Sequence, residues 1–455
     1  MKNEKRELFG TDGIRGKANV HPMTCEIAMG LGRAVTSYFQ KKEATKQPLI
    51  IIGKDTRLSC YTFEHAFSAG VCSQGGYAIF TGPLPTPGVA FVTKSMRADA
   101  GVMISASHNP YYDNGIKIFD RNGYKLPDDV EYELEKMVLQ PELLKANVTE
   151  NLGRARRLDE VIGRYIEHAK SCFDNSYSLE GIKLVVDCAN GAAYKLAPMI
   201  FEELGAEIIV LGNTPNGKNI NENCGALHPQ NCAAKVKEVG ADMGICLDGD
   251  ADRLIVIDEK GEVIDGDKLI GFLSKFLFQK KLLGGVNEVV GTAMSNLGLE
   301  IYLKKLGLSL FRTKVGDRYV IERMRESGSV FGGENSGHLI FNRHSTTGDG
   351  ILAALKVIEC MKYFDRSLHD LAKEVELYPQ VLKNVKVKTK TPFEDVPAIQ
   401  KGLAEVQAEL GDEARILLRY SGTEALARVM IEGKNKDLVE KSCQKLVQIV
   451  EASLK

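Results

Sequence analysis

The sequence lacks the features that mark secreted, membrane-spanning or nucleic-acid-binding proteins. Its start, MKNEKRELFGTDG, has charges but no apolar signal-peptide core, and apolar stretches such as LIGFLSKFLF are short and interrupted by Lys275. Acidic and basic residues nearly cancel, 60 against 59, without a long run of either sign. We therefore expect a cytoplasmic protein, with no membrane and no nucleic acid as partner.

Cysteine pairs and nucleotide-binding motifs are also missing. The 10 cysteines include no C-x-x-C pair, which predicts reduced, buried thiols more than a disulfide framework. The sequence has no G-x-x-x-x-G-K-[ST] loop, no strand-following G-x-G-x-x-G and no G-x-S-x-G elbow. The chemistry is therefore not expected to be driven by a nucleotide.

What the sequence does contain is a unit that occurs three times, at residues 48–80, 181–212 and 287–313. Each copy has a continuous Val/Ile/Leu strand, a loop of small residues, an amphipathic helix, a glycine and a second strand. Continuous apolar strands are typical of parallel sheets that are buried on both faces. Three such units predict three related α/β domains with mixed sheets.

The remainder, from about residue 373, predicts a smaller α+β domain. VLKNVKVKTK alternates like a half-exposed strand, and DVPAIQKGLAEVQAELG predicts a helix that ends at Gly411. ARILLRY and ALARVMIEG flank the loop SGTE, and a last helix begins after Asn435. The predicted domains are 1–152, 153–256, 257–372 and 373–455, arranged around a central cleft.

Ser107 lies in the stretch GVMISASHNPYYDNGIKIF, after a short apolar strand. The turn signals Asn109-Pro110 and Asp113-Asn114-Gly115 follow it before the strand IKIF. This context predicts a serine that is exposed on a loop, between small neighbours that leave room for a large group. An ordinary polar turn is the alternative.

The stretch ICLDGDADRLIVID places Asp248, Asp250 and Asp252 after an apolar strand. Three carboxylates this close would repel one another, so a hard cation such as Mg²⁺ is the expected ligand, and Arg253 adds phosphate binding. An EF-hand would use Glu259 as its twelfth residue. Its sixth position, however, is arginine where a sharp turn needs glycine, and LIVID is expected to be a strand.

Two further loops carry polar groups suited to a phosphosugar. FGGENSGHLIF places Glu334, Ser336 and His338 between apolar strands, where they could bind sugar hydroxyls, although a polar hairpin turn would have the same sequence. RYSGTE groups phosphate-binding donors, namely Arg419, Ser421, Gly422 and Thr423. Glycine-bearing loops with Arg15 and Arg57 could approach a phosphate.

Four of these motifs, SASHNP, DGDADR, GENSGH and RYSGTE, occur in the order found in the α-D-phosphohexomutases, and the chain resembles that family over nearly its whole length. LFGTDGIRG and ISASHNPYYDNGIKIF most resemble the bacterial members that act on glucosamine phosphates. The resemblance implies three related α/β domains and a smaller fourth around one cleft. One departure is Ala251, where glycine is frequent; it matters only if that position needs a positive φ.

The resemblance also implies roles for the residues. Ser107 would be a phosphoserine, and one Mg²⁺ per chain would be bound by Ser107, Asp248, Asp250 and Asp252. Lys117 or His108 would move the proton of the sugar hydroxyl, with Lys117 favoured, and Arg253 would hold phosphoryl oxygens. The groups expected to bind substrate are Arg15, Arg57, Glu334, Ser336, His338, Arg419, Ser421, Gly422 and Thr423.

The resulting hypothesis is a mutase that interconverts glucosamine 6-phosphate and glucosamine 1-phosphate through a glucosamine 1,6-bisphosphate intermediate. A glucose or mannose phosphomutase would use the same residues. A phosphatase that forms an aspartyl phosphate on Asp248 or Asp250, or a phosphosugar-binding protein without activity, would not need Ser107. The partner is thus a small phosphosugar, and a homodimer is implied by resemblance.

Overall fold

The computed structural model describes residues 6–10, 12–42, 47–144, 149–411, 413–420 and 425–454. The chain divides into two compact units. One comprises Met1–Ala293 and Leu310–Glu374, and the other comprises Met294–Ser309 and Val375–Lys455. Within the described ranges, no helix combines the length and the apolar character that crossing a membrane requires.

The first sheet of the larger unit has seven strands, and its central strands come from the apolar runs of the first repeat. Parallel pairing buries these strands under helices on both faces, which explains why their apolar residues do not alternate with polar ones. The elements of this part are β1 (Phe9–Gly10), β2 (Gly13–Lys17), α1 (Cys25–Lys42), β3 (Leu49–Lys54), α2 (Leu58–Ser73), β4 (Tyr77–Pro83), α3 (Thr86–Ser95), β5 (Ala100–Ile104), β6 (Asp113–Asp120), α4 (Asp128–Leu139), β7 (Arg154–Arg157) and α5 (Val161–Ser171).

The second and third sheets have five and four strands. Their elements in chain order are β8 (Lys183–Asp187), α6 (Leu196–Glu203), β9 (Glu207–Leu211), α7 (Gln230–Val239), β10 (Met243–Leu247), β11 (Leu254–Ile257), β12 (Val263–Ile264), α8 (Gly266–Gln279), β13 (Glu288–Thr292), α9 (Leu297–Lys305), β14 (Ser309–Thr313), α10 (Asp317–Ser327), β15 (Phe331–Gly333), β16 (Leu339–Phe341), α11 (Gly350–Phe364) and α12 (Leu368–Lys373).

The three sheets share one strand order. The first contains the run β4-β3-β5-β6, the second contains β9-β8-β10-β11, and the third is β14-β13-β15-β16. In every case the last strand of the run is antiparallel to its neighbour. The sequence repeat therefore corresponds to a structural repeat of strand, helix, strand, helix, strand and antiparallel strand, which confirms the expected α/β class with mixed sheets.

The C-terminal part of the smaller unit is an antiparallel three-stranded sheet of order β17-β19-β18, covered by two helices. Its core includes Ile399, Val429 and Val450. The helix after Asn435 forms as predicted, since the Asn435 side chain accepts the backbone N–H of Leu438 at 3.1 Å. The elements are β17 (Gln380–Lys386), α13 (Pro397–Leu410), β18 (Ala414–Tyr420), β19 (Leu426–Gly433) and α14 (Lys436–Leu454).

One turn prediction in the serine region is wrong. Asp113, Asn114 and Gly115 are the first residues of β6 and pair with β2, rather than forming a turn ahead of the strand. The Asn114 side chain accepts the N–H of Gly115 at 2.8 Å and donates to Ser59 Oγ at 2.8 Å. These side-chain bonds and the pairing with β2 outweigh the local turn preference of Asn-Gly.

Candidate active site

The three loops singled out in the sequence occupy the same position in the structural repeat. Ser107 lies between β5 and β6, the three aspartates lie between β10 and β11, and the stretch 334–338 lies between β15 and β16. Each loop thus joins the third strand of the repeat to its antiparallel neighbour. The repeat explains why three motifs that are far apart in the sequence are presented in a related way.

Ser107 is buried rather than exposed. Its relative exposure is 1%, and its φ of +51° lies in the left-handed region that residues other than glycine rarely adopt. Its hydroxyl donates to Asp248 Oδ2 at 2.6 Å and lies 3.3 Å from His108 Nδ1. The prediction of exposure is wrong because the aspartate loop covers the serine, which no local pattern around Ser107 indicates.

The aspartate loop brings three carboxylates together. Asp248, Asp250 and Asp252 each offer one oxygen, and these three oxygens lie within 4.8 Å of one another. All three residues are almost completely buried. Ala251 has a φ of +55°, so the backbone does need a left-handed residue at this position, and the alanine adopts that conformation at a cost of about 1 kcal/mol or more.

Two groups from the first structural repeat contact Asp250. The hydroxyl of Thr86, the first residue of α3, donates to Asp250 Oδ2 at 2.6 Å, and the Thr86 N–H donates to the Asp250 carbonyl at 3.0 Å. Lys117 Nζ lies 2.9 Å from Asp250 Oδ2 and 3.3 Å from Asp252 Oδ2. Thr86 was not identified from the sequence, since its partner lies 164 residues away.

Two of the carboxylate oxygens have no hydrogen-bond partner among the described residues. Asp250 Oδ1 and Asp252 Oδ1 are buried, and no donor among the described residues bonds to them. Buried charged oxygens without donors are costly, whereas a hard cation bound by carboxylates satisfies them. The donor set, three carboxylates beside a serine hydroxyl, therefore fits a divalent cation such as Mg²⁺.

The crowding of carboxylates also changes their protonation. Burial raises the pKa of Asp248 to about 8, and Asp252 and Asp250 contribute to the increase. Asp252 is affected in the opposite direction: burial raises its pKa, but the lowering, of which Lys117 is the largest cause, is greater, so the pKa lies well below its usual range. The loop is therefore a place where a bound proton and a bound cation would compete.

A second cluster of possible metal ligands lies at the other end of β11. It consists of Asp258, Glu262 and His369. Asp258 Oδ1 accepts the N–H groups of Lys260 and Glu262 at 2.9 and 2.8 Å, and its Oδ2 lies 2.7 Å from His369 Nδ1, which is a hydrogen-bond distance. Hydrogen bonds thus occupy both oxygens of Asp258.

The EF-hand alternative fails on the same evidence. Strand β11 separates Glu259 from the aspartate loop, and Glu259 Oε2 accepts the N–H of His369 at 3.2 Å. It therefore lies at the opposite end of the strand from Asp248. The expectation that LIVID forms a strand is confirmed over Leu254–Ile257.

The sugar loop is a tight hairpin turn in which Glu334 N–H donates to the His338 carbonyl at 3.0 Å. Glu334 Oε1 accepts the N–H of Gly316 at 3.2 Å, and burial and the nearby Asp317 raise the pKa of Glu334. His338 Nε2 accepts the N–H of Gly348 at 2.9 Å, while its Nδ1 lies 3.6 Å from Asp252 Oδ1. His338 therefore joins the sugar loop to the aspartate loop.

A network of charges that the sequence did not indicate connects these loops to the first strands. Lys125 Nζ contacts Asp12 Oδ1 and lies 2.5 Å from Asp317 Oδ2, while Asp317 Oδ2 lies 3.6 Å from His338 Nε2. Arg15 donates to Asp12, and Lys117 lies 3.3 Å from it. Asp12 thus connects three cations of the site.

The substrate-binding residues expected from the sequence differ in their surroundings. Arg15 is about one quarter exposed, with a side-chain exposure of 26%. Arg57, by contrast, is 0% exposed, and its guanidinium contacts Asp55 and the carbonyls of Ser107 and Asn109. Its guanidinium is therefore held between Asp55 and the serine loop.

The phosphate loop is described only at its edge. Arg419 lies on β18 directly opposite Arg428 on β19, and burial and Arg428 lower the pKa of Arg419. Two cations placed opposite each other on neighbouring strands favour a bound anion. Ser421, Gly422 and Thr423 lie outside the described residues.

Comparison with known proteins assigns the chain to a family. Domains I, II and III of phosphoglucomutase/phosphomannomutase, each described as alpha/beta/alpha, match residues 6–145, 163–261 and 265–378, and the C-terminal domain matches residues 382–449. Among solved structures, a phosphoglucomutase/phosphomannomutase family protein from Burkholderia thailandensis has a TM-score of 0.82 at 22% identity, covering 99% of this chain and 98% of its own.

A second solved structure is the N-acetylphosphoglucosamine mutase of Aspergillus fumigatus in complex with GlcNAc-6P and magnesium, with a TM-score of 0.70 at 18% identity, covering 100% of this chain and 97% of its own. At these identities the two structures establish the fold alone.

Curated relatives are much more similar. The phosphoglucosamine mutase of Desulfovibrio desulfuricans is 52% identical over 449 residues, which cover 98% of this chain and 99% of the relative. That of Nitratidesulfovibrio vulgaris is 50% identical over 451 residues, which cover 99% of this chain and all of the relative. With this identity over nearly its full length, the chain belongs to the phosphoglucosamine mutases, which are phosphosugar mutases of the phosphoglucomutase/phosphomannomutase family.

Proposed function

We propose that the protein interconverts glucosamine 6-phosphate and glucosamine 1-phosphate through a phosphoserine at Ser107 and a glucosamine 1,6-bisphosphate intermediate. The observation that carries the proposal is the 2.6 Å contact of the Ser107 hydroxyl with Asp248, beside two carboxylates that each have one oxygen without a donor in the described part of the chain. The names of relatives that are about half identical supply the sugar. The product would feed the synthesis of amino-sugar nucleotides.

One Mg²⁺ per chain would be held by Asp248, Asp250, Asp252 and an oxygen of phosphorylated Ser107. When bound, the cation neutralises charge on the phosphoryl group during its transfer. Thr86 and Lys117 hold Asp250 in place for this task through their contacts at 2.6 and 2.9 Å. Arg253 would hold phosphoryl oxygens from the same loop.

In the transfer, a hydroxyl oxygen of the sugar bonds to phosphorus as the bond from phosphorus to Ser107 Oγ breaks. The hydroxyl proton needs an acceptor, and the sequence offers two candidates for moving it, Lys117, which the resemblance favours, and His108. Burial, Arg253 and Arg15 lower the pKa of His108 to about 4, so its imidazole is neutral at pH 7 and able to accept. Burial lowers the pKa of Lys117, but Asp12, Asp250 and Asp252 raise it by more than burial lowers it. Lys117 is therefore protonated and better suited to donate a proton.

The bisphosphate must bind in two orientations, so that either phosphate can face Ser107. Glu334, Ser336 and His338 would bind sugar hydroxyls that occupy similar positions in both. Arg15 and Arg57 are proposed on the side of the reacting phosphate. The phosphate clamp for the other end would consist of Arg419, Ser421, Gly422 and Thr423.

Further parts of the proposal concern organisation. We place the domains at 1–152, 153–256, 257–372 and 373–455, and the enzyme in the cytoplasm as a homodimer. Light scattering tests the oligomer, since a homodimer has twice the 50.0 kDa mass of the chain. Limited proteolysis tests the boundaries, because the first cuts should fall near them.

The deciding experiment compares kcat/KM for glucosamine 6-phosphate and glucose 6-phosphate, with Mg²⁺ and a trace of the matching bisphosphate. A large preference for the amino sugar supports the proposal, whereas equal rates or a preference for glucose support a phosphoglucomutase with the same residues. Ser107→Ala is the companion variant. Full activity of that variant would indicate an aspartyl-phosphate enzyme instead.

A further inference from the structure

Two side chains from separate parts of the chain donate hydrogen bonds to backbone carbonyls of the serine loop. Arg57 Nη2 donates to the Ser107 carbonyl at 3.1 Å and also contacts the Asn109 carbonyl at 2.5 Å. Asn221 Nδ2 donates to the same two carbonyls, at 2.9 and 3.2 Å. Each carbonyl therefore accepts from both side chains.

Both side chains are themselves held in place. The Arg57 guanidinium contacts Asp55 Oδ2, the Arg57 N–H donates to Asp55 Oδ1 at 2.8 Å, and Arg57 is 0% exposed. Asn221 is buried, has a φ of +58° that suits asparagine, and donates its N–H to the Ala189 carbonyl at 2.9 Å. Neither side chain can reorient without losing these contacts.

The aspartate loop also packs against the Ser107 carbonyl, beside Arg57 and Asn221. A Cβ placed on Gly249 would lie 2.6 Å from the Ser107 carbonyl oxygen and 2.9 Å from Asn221 Nδ2. A side chain at position 249 would therefore push the serine loop away from the two groups that hold it. The absence of a side chain at Gly249 allows the metal loop and the serine loop to pack in direct contact.

These contacts act on the conformation of Ser107, whose φ of +51° is strained for a residue other than glycine. The donor on Arg57 is charged and both side chains bond to the same two carbonyls, so these hydrogen bonds offset the strain of this conformation. Phosphorylation adds nearly two negative charges to the Ser107 side chain and makes its direction more important.

We propose that Arg57 and Asn221 are positioning residues that hold Ser107 in the left-handed conformation and thereby direct its phosphoryl group at the aspartate loop. The inference rests on the proposed phosphoserine mechanism. It gives Arg57 a role through the serine loop, beyond the binding of substrate. It also makes phosphoryl transfer depend on the segment around Asn221, which carries no residue of the proposed chemistry.

The test compares Asn221→Gly with Asn223→Gly. Asn223 lies in the same loop, is exposed and also has a positive φ, of +53°, so glycine suits the backbone at both positions. Only Asn221→Gly removes the hydrogen bonds to the serine loop. Both are loaded with glucosamine 1,6-bisphosphate, and intact mass gives the phosphorylated fraction. The rate is then expressed per phosphorylated chain, alongside KM and the melting temperature.

For Asn221→Gly we expect kcat per phosphorylated chain to fall about 10- to 100-fold with KM nearly unchanged, because a small misplacement of the reacting group slows transfer without weakening sugar binding. The ³¹P resonance of the phosphoserine should shift or broaden. Asn223→Gly should match the wild type. Asn221→Asp keeps the shape but removes the donor, so it should show the same loss.

The inference is overturned if Asn221→Gly and Asn221→Asp have the same kcat per phosphorylated chain as Asn223→Gly. It is also overturned if these two variants raise KM while kcat stays at the wild-type value. A lower melting temperature with normal kcat per phosphorylated chain would also overturn it, since it indicates a merely structural role. If wild-type Ser107 takes no phosphate at all, the proposed function itself fails and the inference falls with it.

Discussion

A carboxylate cluster lies at each end of strand β11, and the two clusters differ in what their oxygens contact. At one end are Asp248, Asp250 and Asp252; at the other, Asp258 with Glu262 and His369. Ligand type alone does not separate them, because carboxylates and imidazole both bind divalent cations. Their hydrogen bonds do.

In the aspartate loop, Asp250 Oδ1 and Asp252 Oδ1 are buried without a hydrogen-bond donor among the residues described. At the far end, backbone N–H groups and an imidazole bond to both oxygens of Asp258, and Glu262 is 65% exposed. A buried charged oxygen without a hydrogen-bond donor costs free energy, so such oxygens are expected where a bound cation satisfies them. Unsatisfied oxygens, more than residue type, therefore distinguish a cation site from a stabilised turn.

The largest effect should come from exchanging one carboxylate in each cluster. Asp250→Asn should lower kcat/KM on the order of 10³-fold, because about 4 kcal/mol of charge stabilisation on the transferring group is lost. Asp258→Asn should leave kcat/KM nearly unchanged and lower the free energy of unfolding by about 1 kcal/mol. Steady-state kinetics and urea unfolding of the two variants measure both effects, and comparable losses of activity would remove the distinction between the clusters.

A smaller effect should follow from removing a group that supports the cation site. Thr86→Val keeps the shape but removes the hydroxyl that donates to Asp250, and the Mg²⁺ affinity should fall about 10- to 100-fold. Thr93→Val is the matched control, since Thr93 lies on the same helix, is equally buried and donates only to the Val89 carbonyl among its described contacts. Equal Mg²⁺ titration midpoints for the two variants would contradict the assignment.

Metal binding to the aspartate loop should depend on pH. Burial and Asp252 and Asp250 raise the pKa of Asp248 to about 8, so between about pH 4 and pH 8 the folded protein retains a proton that the unfolded chain has lost. This contribution to stability is complete at low pH and disappears as the pH rises through 8. Mg²⁺ displaces the proton, so its affinity should rise up to about tenfold per pH unit toward pH 8.

Thermal unfolding with and without Mg²⁺ measures this linkage. The gain in melting temperature from Mg²⁺ should grow from about pH 6 to pH 8, in wild type and in Asp258→Asn alike. A gain that is constant across this range would show that the cation does not compete with a proton on the aspartate loop.

The smallest effect concerns Ala251, which holds a φ of +55° between the metal ligands. Ala251→Gly relieves about 1 kcal/mol of strain but gives the unfolded chain more freedom and removes a buried methyl group. The free energy of unfolding should therefore change by less than about 1 kcal/mol, with activity retained. A large loss of Mg²⁺ affinity would show that the methyl group shapes the loop.

The sequence was sufficient for features that depend on neighbouring residues. The three repeats, the strand LIVID, the helix after Asn435 and the short spacing of the three aspartates are all local patterns. Periodicity and turn chemistry determine such features, and the structure confirms them.

Features that depend on distant contacts could not be read in this way. Thr86, Asn221 and Asp317 contact partners that are more than one hundred residues away in sequence. The burial of Ser107 has the same origin, since the aspartate loop covers it. The turn predicted at Asp113-Asn114-Gly115 failed because pairing with β2 outweighs a local preference.

The most direct test of the account is phosphopeptide mapping of the enzyme after incubation with glucosamine 1,6-bisphosphate and Mg²⁺, followed by a chase with glucosamine 6-phosphate. The account predicts one phosphoryl group per chain, located on Ser107 and lost to the sugar during the chase. No phosphate on Ser107, or phosphate on an aspartate of the metal loop, would contradict it.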